Sequence, residues 1–558
     1  MSSLLVVLLG AIDGDRVSHL PGLQVPLSSK LYSGYLASGA ASGSRARLHY
    51  MYAESQSAPA TDPLVLWMNG GPGASSLWGF FVEVGPYATN DASFVHNTSA
   101  TPAVFARSNS WNREANLLVL ESPGGVGFSY CTGAHGEFCA GDACCPVHTD
   151  ESTASDALEA LAAFIQGFPE LRGRSLYIAG ESYAGIYVPM LAVRVLADAE
   201  EVGLELKGVA VGDGCMGLHS VGGCSKDAQR HFVDFMFGHG QISLKVYEGV
   251  KAACGESLDG VGTPSERCDA LTAQMQQALG GYNVYHIYDQ CYFRNDNARF
   301  GSGFGAAGAL SATSPLSRPM TTPWGGVPGN PFRARAAAAE QMVAGRLPRG
   351  EATRGGSLGE ASLGQARGRS LGEATVEATV EAAGLGEALN DYPCGGERAL
   401  IAYLNRAEVK SALHVRASQP WSDHDGNWDH YRSTALDMRP LWRELLKVVR
   451  VLIYFGDADA GVPYNGGEKW TSQLGLPELE PWRPWTLDGG AMMAGYVTRY
   501  ETPHGFDFVT VRGAGHMVPQ FKPREAFALF SFFLNREAYP RYNGSSLHPP
   551  HLSRAASY

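Results

Sequence analysis

The 558-residue chain has little positive charge and no long apolar run. Its 43 lysines and arginines are outnumbered by 55 aspartates and glutamates, so the formal net charge is −12. Because binding to a phosphate backbone needs a basic surface, this balance argues against nucleic acid as a partner. No apolar run reaches the roughly 18 residues of a membrane-spanning helix, so we expect no integral membrane span.

Charged residues are scarce at 18%, whereas hydrophobic residues reach 45%. This composition excludes a highly charged disordered chain and can supply a large core. Ten cysteines are too few for a small disulfide scaffold, but they are many for a cytosolic protein without a metal. Together with glycosylation sequons at Asn97 and Asn543, they favour the secretory pathway, with the lysosome, the vacuole or the extracellular space as destination.

The N-terminal segment, residues 1–15, has an apolar stretch at Leu4–Leu9 that resembles part of a signal peptide. It lacks a positively charged start, and Asp13 and Asp15 follow closely. We interpret it as a weak or truncated signal segment, with an N-terminal strand as the alternative.

Short apolar runs alternate with amphipathic segments between residues 60 and 215, and the same pattern returns after residue 441. This alternation predicts βαβ units and a mostly parallel central sheet, that is, an α/β fold. The predicted strands are 64–68, 117–120, 176–179, 208–211, 451–455 and 508–511, and the predicted helices are 152–168, 186–199 and 523–535. Residues 16–215 and 441–558 would form the two parts of the core.

Two segments interrupt this pattern. Residues 216–300 hold four cysteines and have a helical pattern, which indicates a cap insertion over the sheet edge, and residues 391–440 would lead from the cap back to the core. Residues 301–390 contain 35 glycines and alanines and only three aromatic residues, which is too little apolar area to offset the entropy of folding. We expect a disordered insert there; a linker removed by processing and a gene-model artefact remain open.

The first chemical motif is Gly180-Glu181-Ser182-Tyr183-Ala184-Gly185, between a predicted strand and a predicted helix. This is the setting of a nucleophile elbow, in which small residues two positions before and after the serine allow a sharp turn. Gly180 and Ala184 occupy those positions. An ordinary serine in a βα turn is the alternative at this point.

The second motif, Asn69-Gly70-Gly71-Pro72-Gly73, follows the first predicted strand. An acyl-transfer enzyme stabilises its oxyanion with backbone N–H groups, one from the residue after the nucleophile and one from such a loop. Tyr183 and Gly71 are therefore the candidate donors. The loop lacks the G-K-[ST] of a phosphate-binding loop.

The third and fourth motifs are Gly456-Asp457-Ala458-Asp459 and Gly513-Ala514-Gly515-His516, each just after a predicted strand. A serine hydroxyl needs a base to take its proton, and a carboxylate must orient the histidine that does so. The order serine, aspartate, histidine is the order of α/β-hydrolases. His516 is therefore the candidate base.

These four blocks, in this order, resemble the serine carboxypeptidase family, and further matches include Glu121–Tyr130 and Asn283–Asp289. The resemblance covers roughly residues 16–300 and 390–538. It implies an α/β-hydrolase fold with an inserted helical cap, and a hydrolase that removes residues from the C-termini of peptides or proteins through an acyl-enzyme. It implies no metal and no organic cofactor.

The resemblance also implies residue roles. Ser182 would be the nucleophile, His516 the base and Asp459 the acid, with Asp457 as runner-up for the acid. The substrate's C-terminal carboxylate would be bound by Asn69, Gly70, Glu181 and Glu83. Because a carboxylate beside Glu181 requires a shared proton, peptidase action would be favoured at acid pH. Met517 would help to shape the pocket for the leaving residue.

By the same resemblance Cys215 would pair with Cys224, and we expect Cys291–Cys394 across the insert and a local Cys254–Cys268 bridge. The remaining cluster comprises Cys131, Cys139, Cys144 and Cys145; two disulfides are favoured there over a zinc site because the spacing is irregular.

The chain departs from the family pattern at two positions. Ala74 stands where the family usually has a cysteine, and Gly212-Asp213-Gly214 replaces the usual G-N-G, a change from which we expect little consequence. Two other functions stay open: an acyltransferase on the same scaffold, and a protective or scaffold protein with incidental catalysis. A homodimer also stays open.

Overall fold

The computed structural model describes residues 14–94, 101–139, 142–218, 224–291, 392–421, 430–487, 490 and 492–542. The sequons at Asn97 and Asn543, nearly all of the segment 1–15 and the insert 301–390 lie outside the described residues.

The strands of the described residues are β1 Arg16–Val17, β2 Leu31–Ala37, β3 Ala46–Ala53, β4 Leu64–Met68, β5 Tyr87–Ala88, β6 Phe105–Ala106, β7 Asn116–Leu120, β8 Tyr130–Cys131, β9 His148–Thr149, β10 Ser175–Glu181, β11 Glu205–Gly212, β12 Tyr431–Arg432, β13 Arg450–Gly456, β14 Glu478–Thr486, β15 Met493–Tyr500 and β16 Phe506–Val511.

The α-helices are α1 Ser76–Trp78, α2 Asp150–Gly167, α3 Ala184–Ala197, α4 Ala199–Val202, α5 Ala228–Gly238, α6 Leu244–Cys254, α7 Glu266–Leu279, α8 Gly396–Leu404, α9 Ala407–Ala412, α10 Arg439–Leu445, α11 Tyr464–Ser472, α12 Val518–Phe521 and α13 Pro523–Asn535. A π-helical turn covers Gly79–Glu83, and 3-10 turns cover Asp91–Phe94, Trp111–Arg113, Pro169–Leu171 and Gly255–Asp259.

In the described part of the chain twelve strands form one sheet in the order β1-β2-β3-β7-β4-β10-β11-β13-β16-β15-β14, with β8 paired to β3. The six strands from β7 to β16 in this order run parallel. The strands on both sides of them pair antiparallel. The predicted parallel centre is therefore present, and antiparallel strands extend it on both sides.

The central strands are continuous apolar runs because both of their faces are covered. In β4, Leu64, Leu66 and Met68 belong to one core, whereas Val65 and Trp67 belong to the core on the other face. Helices α2 and α3 cover the first face with side chains such as Phe164 and Leu191. Helix α13 covers the second face through Phe530 and Phe533.

Helices α5, α6 and α7 form a third apolar cluster, which includes Phe232, Met236 and Val250. Ala458 and Ala460 from the turn after β13 belong to the same cluster, so the predicted cap segment packs on that turn. No helix in the described ranges is long and apolar enough to cross a membrane.

Five disulfides join the ten cysteines: Cys131–Cys145, Cys139–Cys144, Cys215–Cys224, Cys254–Cys268 and Cys291–Cys394. The four-cysteine cluster thus forms two disulfides, so its thiolates are not available to a metal. Five disulfides are typical of a protein of the secretory pathway.

Candidate active site

The candidate nucleophile Ser182 lies in the turn between β10 and α3. Its φ of +60° is a conformation that non-glycine residues seldom adopt, and it presents a partly exposed side chain between the buried Glu181 and Tyr183. The turn requires small neighbours: a Cβ on Gly180 would lie 2.3 Å from the Met68 carbonyl oxygen. The strained serine in this strand–turn–helix setting matches a nucleophile elbow.

The glycine loop after β4 packs directly on this elbow. A Cβ on Gly70 would lie 2.3 Å from the Tyr183 nitrogen and 2.9 Å from the Ser182 Cβ. Gly71 has φ +97° and precedes a cis peptide bond to Pro72. The two candidate oxyanion donors, the N–H groups of Gly71 and Tyr183, thus belong to two segments in contact beside Ser182.

Asp459 and His516 follow the neighbouring parallel strands β13 and β16, so both reach the same sheet edge as Ser182. The His516 Nδ1 lies 2.6 Å from the Asp459 Oδ2. The fully buried Asp459 also accepts hydrogen bonds from the N–H groups of Gly461, at 2.8 Å, and Val462, at 3.1 Å. Because Asp459 engages Nδ1, Nε2 is the ring nitrogen suited to act as base.

Asp457 has a different contact. It accepts a hydrogen bond from the Gly513 N–H at 2.6 Å. This bond ties the turn after β13, here called the aspartate turn, to the turn after β16. Burial raises the pKa of the Asp457 carboxyl. Of the two aspartates, Asp459 is the one bonded to His516.

Tyr285 is a neighbour of His516 to which the sequence motifs assigned no role. The two rings stack with centroids 4.7 Å apart and planes 24° apart. The Tyr285 carbonyl also accepts a hydrogen bond from the His516 N–H at 2.7 Å. Residues 283–289 matched the family pattern, and this match was the signal that could have pointed to Tyr285.

Asn69, Glu83 and Glu181 form a buried group beside the elbow, here called the acid cluster. The Asn69 Nδ2 donates to the Glu83 Oε1 at 2.8 Å and to the Glu181 Oε1 at 2.9 Å. The Asn69 amide is oriented by donors to its Oδ1, namely the Trp67 Nε1 at 2.8 Å and the Gly79 N–H at 3.1 Å. The structure therefore brings these three predicted residues together.

The acid cluster favours protonated carboxyl groups. Burial raises the pKa of Glu83. Burial and the charge of Glu83 raise the pKa of Glu181 well above its usual range. The second carboxyl oxygen of each residue is buried without a hydrogen-bond partner. Two such groups share a proton more readily than they carry two charges.

The remaining predicted residues lie as follows. Gly70 forms the contact between the loop and the elbow. Met517 directly follows His516, is half-buried and packs against the core on the α13 face.

Among the described residues, two groups have the donor types of a metal site. In Cys131, Cys145 and His148 the two sulfurs are joined in a disulfide. In Asp213, Asp459 and His516 the candidate acid and base are already bonded to each other. The sequence reasoning did not place Asp213 in this site.

Comparison with known proteins supplies an independent test. The family model described as serine carboxypeptidase matches residues 21–536. Serine carboxypeptidase 1 of Hordeum vulgare is 30% identical over 543 residues, which cover 94% of this chain and 93% of the relative. The lysosomal protective protein of Mus musculus is 31% identical over 551 residues, which cover 95% of each chain.

A prohormone-processing carboxypeptidase of Saccharomyces cerevisiae has a similar structure, with a TM-score of 0.59 over 94% of this chain and 96% of that one. At 16% identity this likeness bears on the fold alone, and it confirms the predicted α/β-hydrolase fold. The family match and the two relatives extend over nearly the whole chain. The chain belongs to the serine carboxypeptidase family and is a serine-type carboxypeptidase.

Proposed function

We propose that the protein hydrolyses the C-terminal peptide bond of peptides and proteins through an acyl-enzyme on Ser182, and that acid pH favours this activity. The observation that carries the proposal is the acid cluster, because Glu181 is both a member of it and the residue next to Ser182. A buried group of shared-proton carboxyls beside a nucleophile is suited to bind a free carboxylate.

In the proposed reaction, His516 takes the Ser182 proton through Nε2 as the Ser182 Oγ attacks the scissile carbonyl carbon. Asp459 holds the imidazole and stabilises its charged form. The N–H groups of Gly71 and Tyr183 stabilise the oxyanion. The C–N bond then breaks, and the leaving amine takes the proton from His516. Water, activated by the same base, hydrolyses the acyl-enzyme and restores Ser182.

Recognition of the C-terminus depends on protonation. A neutral Glu181 carboxyl donates a hydrogen bond to the substrate carboxylate, and the Gly70 N–H donates another. The Asn69 amide hydrogen that now points to Glu181 would turn to the substrate carboxylate. Glu83 holds Asn69 in place. As pH rises and the cluster loses its proton, repulsion replaces the hydrogen bond, so peptide binding weakens while hydrolysis of uncharged esters or amides is spared.

The leaving residue would lie between this cluster and the cap, with Met517 as part of its pocket. Five disulfides and the lysosomal relative support a secretory route, with the lysosome or vacuole, or the extracellular space, as destination.

Mass spectrometry of blocked dipeptides and their C-terminal amides, incubated with the protein between about pH 4 and pH 7.5, tests the proposal. We expect release of the last residue from free-carboxylate peptides, strongest at acid pH and lost in Ser182→Ala. Equal pH profiles for peptide and amide substrates would contradict the carboxylate-binding role of the acid cluster.

Two further assays address the open alternatives. If folded protein released no residue but moved an acyl group from a donor ester to a hydroxyl acceptor, the acyltransferase function would replace the proposal. If neither the native protein nor Ser182→Ala released residues, and both stabilised a partner enzyme to the same extent, the protein would be a scaffold.

A further inference from the structure

Asp213 occupies a buried position at the same sheet edge as Ser182, Asp459 and His516, which form the candidate triad. It follows β11, whose neighbours are β10, which leads into the elbow, and β13, which leads into the aspartate turn. Its side chain is fully buried, and its φ of +44° lies in the left-handed region that aspartate and asparagine tolerate. Its N–H donates to the Tyr454 carbonyl at 2.8 Å.

The Asp213 carboxyl lies against the candidate acid and base. One oxygen of Asp213, one of Asp459 and a ring nitrogen of His516 all lie within 4.8 Å of one another. The Gly456 N–H donates to the Asp213 carboxyl, at 3.0 and 3.2 Å from its two oxygens. Two buried carboxyl groups therefore share one small space.

Most of the titratable groups around Asp213 are acidic. The groups that face it are Asp459 and Asp457 on the turn after β13, Glu181 at the end of β10, Tyr454 on β13 and His516 on the turn after β16. A second full negative charge in this space would be repelled by the first. This repulsion favours a state in which one of the two aspartates carries a proton.

The hydrogen bonds indicate which one. Asp459 is stabilised as a carboxylate by three donors, the His516 ring and the N–H groups of Gly461 and Val462. Asp213 accepts from one backbone donor, Gly456. Burial, followed by the Asp459 charge, raises the pKa of Asp213 well above its usual range. The proton therefore belongs on Asp213.

We propose that Asp213 is a positioning residue that remains protonated and donates its O–H to Asp459, holding the carboxylate that orients His516. This rests on the proposed role of Asp459. The asparagine usual at this position in the family would donate through an amide that does not titrate. The change to Asp213, from which little consequence was expected, would make the support of the triad depend on pH.

Proton linkage makes the proposal testable without substrate. In the native protein, stability falls as pH rises from the unfolded pKa of about 4 to the raised pKa of folded Asp213, since the folded state holds the extra proton. Asp213→Asn has no such proton. The ratio of its folding equilibrium constant to that of the native protein should therefore grow by up to about tenfold per pH unit across that range.

Unfolding by denaturant at a series of pH values, from about pH 4 to pH 8, measures this ratio. Asp269→Asn, at an exposed position of α7, is the matched control, and its ratio should stay constant. A ratio for Asp213→Asn that is as constant as that of the control would overturn the proposal.

Hydrolysis of an ester without a free carboxylate gives a second readout, because it does not need the acid cluster. In the native protein, loss of the Asp213 proton should lower kcat for this ester at high pH, independently of the acid cluster. In Asp213→Asn this fall of kcat should move to higher pH. Asp213→Ala, which lacks any donor, should lose kcat over the whole range, and the asparagine variant should recover most of it. Superimposable profiles of the native and asparagine proteins would count against the proposal.

The two proposals fail in distinguishable ways. A native protein that hydrolyses neither ester nor peptide would contradict the proposed function. The unfolding comparison would still decide whether Asp213 holds a proton.

Discussion

At the scale of single residues, the shared proton of Glu83 and Glu181 is the feature that makes peptide binding depend on pH. Both pKa values are raised, so the cluster is protonated at acid pH and loses its proton as pH rises. The expected consequence is a KM for peptides that increases by about tenfold per pH unit once the cluster is deprotonated, since one proton is linked to binding.

Glu181→Gln tests this consequence, because the glutamine amide donates a hydrogen bond at every pH. We expect the KM of a blocked dipeptide to stay nearly constant between about pH 4 and pH 8 in this variant. The C-terminal amide of the same dipeptide is the matched control substrate. A KM that rises with pH as steeply as in the native protein would show that another group controls binding.

The residues of the candidate site could be predicted from short sequence motifs only where they lie in a turn that directly follows a strand. Ser182, Asp459 and His516 each follow a strand in a short motif, and parallel strands bring such turns to one edge. Tyr285 and Asp213 act on the site through contacts between distant segments, the first through a ring stacked on His516. No spacing along the chain encodes such contacts, although Tyr285 lies in the motif Asn283–Asp289 and Asp213 lies in the motif Gly212–Gly214.

At the scale of secondary-structure elements, the contact between the glycine loop and the nucleophile elbow is the tightest feature. A Cβ at Gly70 would lie 2.3 Å from the Tyr183 nitrogen and 2.7 Å from the Glu181 carbonyl oxygen, closer than real Cβ atoms approach backbone. To relieve this contact, either the glycine loop or the nucleophile elbow must shift by a sizeable fraction of an ångström. A displacement of this order at reacting groups costs about 100-fold in rate.

Gly70→Ala should therefore lower kcat by about 100-fold while the protein stays folded, as measured by ester hydrolysis and circular dichroism. Gly249→Ala is the matched control: its Cβ would meet one atom, at 3.9 Å, within helix α6, so kcat should not change. Full activity of Gly70→Ala would mean that the loop can move without disturbing Ser182.

The central elements could be predicted because burial on both faces makes them continuous apolar runs, and predicted strand 64–68 has the observed bounds. The flanking strands escaped prediction for physical reasons. Strand β14 contains Pro481 and Pro484, which argue against a strand, but its place at the sheet edge tolerates them. The π-helical turn Gly79–Glu83, which carries Glu83 to Asn69, has no sequence signature that we could use.

At the scale of the whole molecule, stability should be greatest on the acid side of neutrality. Some buried or half-buried carboxyls have raised pKa values, namely Asp15, Glu83, Asp156 and Glu181. They hold protons in the folded state that the unfolded state has lost, so each costs stability as pH rises above about 4.

Buried histidine acts in the opposite direction. Burial lowers the pKa of His148 to about 4, so its contribution is present above the unfolded value of about 6.5 and is lost as pH falls. Above about pH 6.5 the effect of this histidine has ended, whereas the effect of the carboxyls with raised pKa values continues. We expect Tm, measured by calorimetry, to fall from about pH 6.5 to pH 8. A Tm that rose over this interval would contradict the protonated state of these carboxyls.

The Cys291–Cys394 disulfide joins the described residues that lie on either side of the segment 292–391. The bridge Cys291–Cys394 closes a span of 103 residues with its Cα atoms 5.3 Å apart. The site itself draws on both sides of this bridge, because β11 before it pairs with β13 after it. The short flanks 292–300 and 391–393 are long enough to join two points at that distance.

Deletion of residues 301–390 should therefore leave the rate of ester hydrolysis unchanged. A version cut once by a protease site engineered within 301–390 should give one band on a non-reducing gel and two after reduction, since the bridge keeps the pieces joined. Cys291→Ser with Cys394→Ser is the matched control: uncut, it should lose about 4–5 kcal/mol of loop-closure stabilisation, and once cut it should give two bands even without reduction. Loss of activity on deletion, with the fold intact by circular dichroism, would show that the insert contributes to the site.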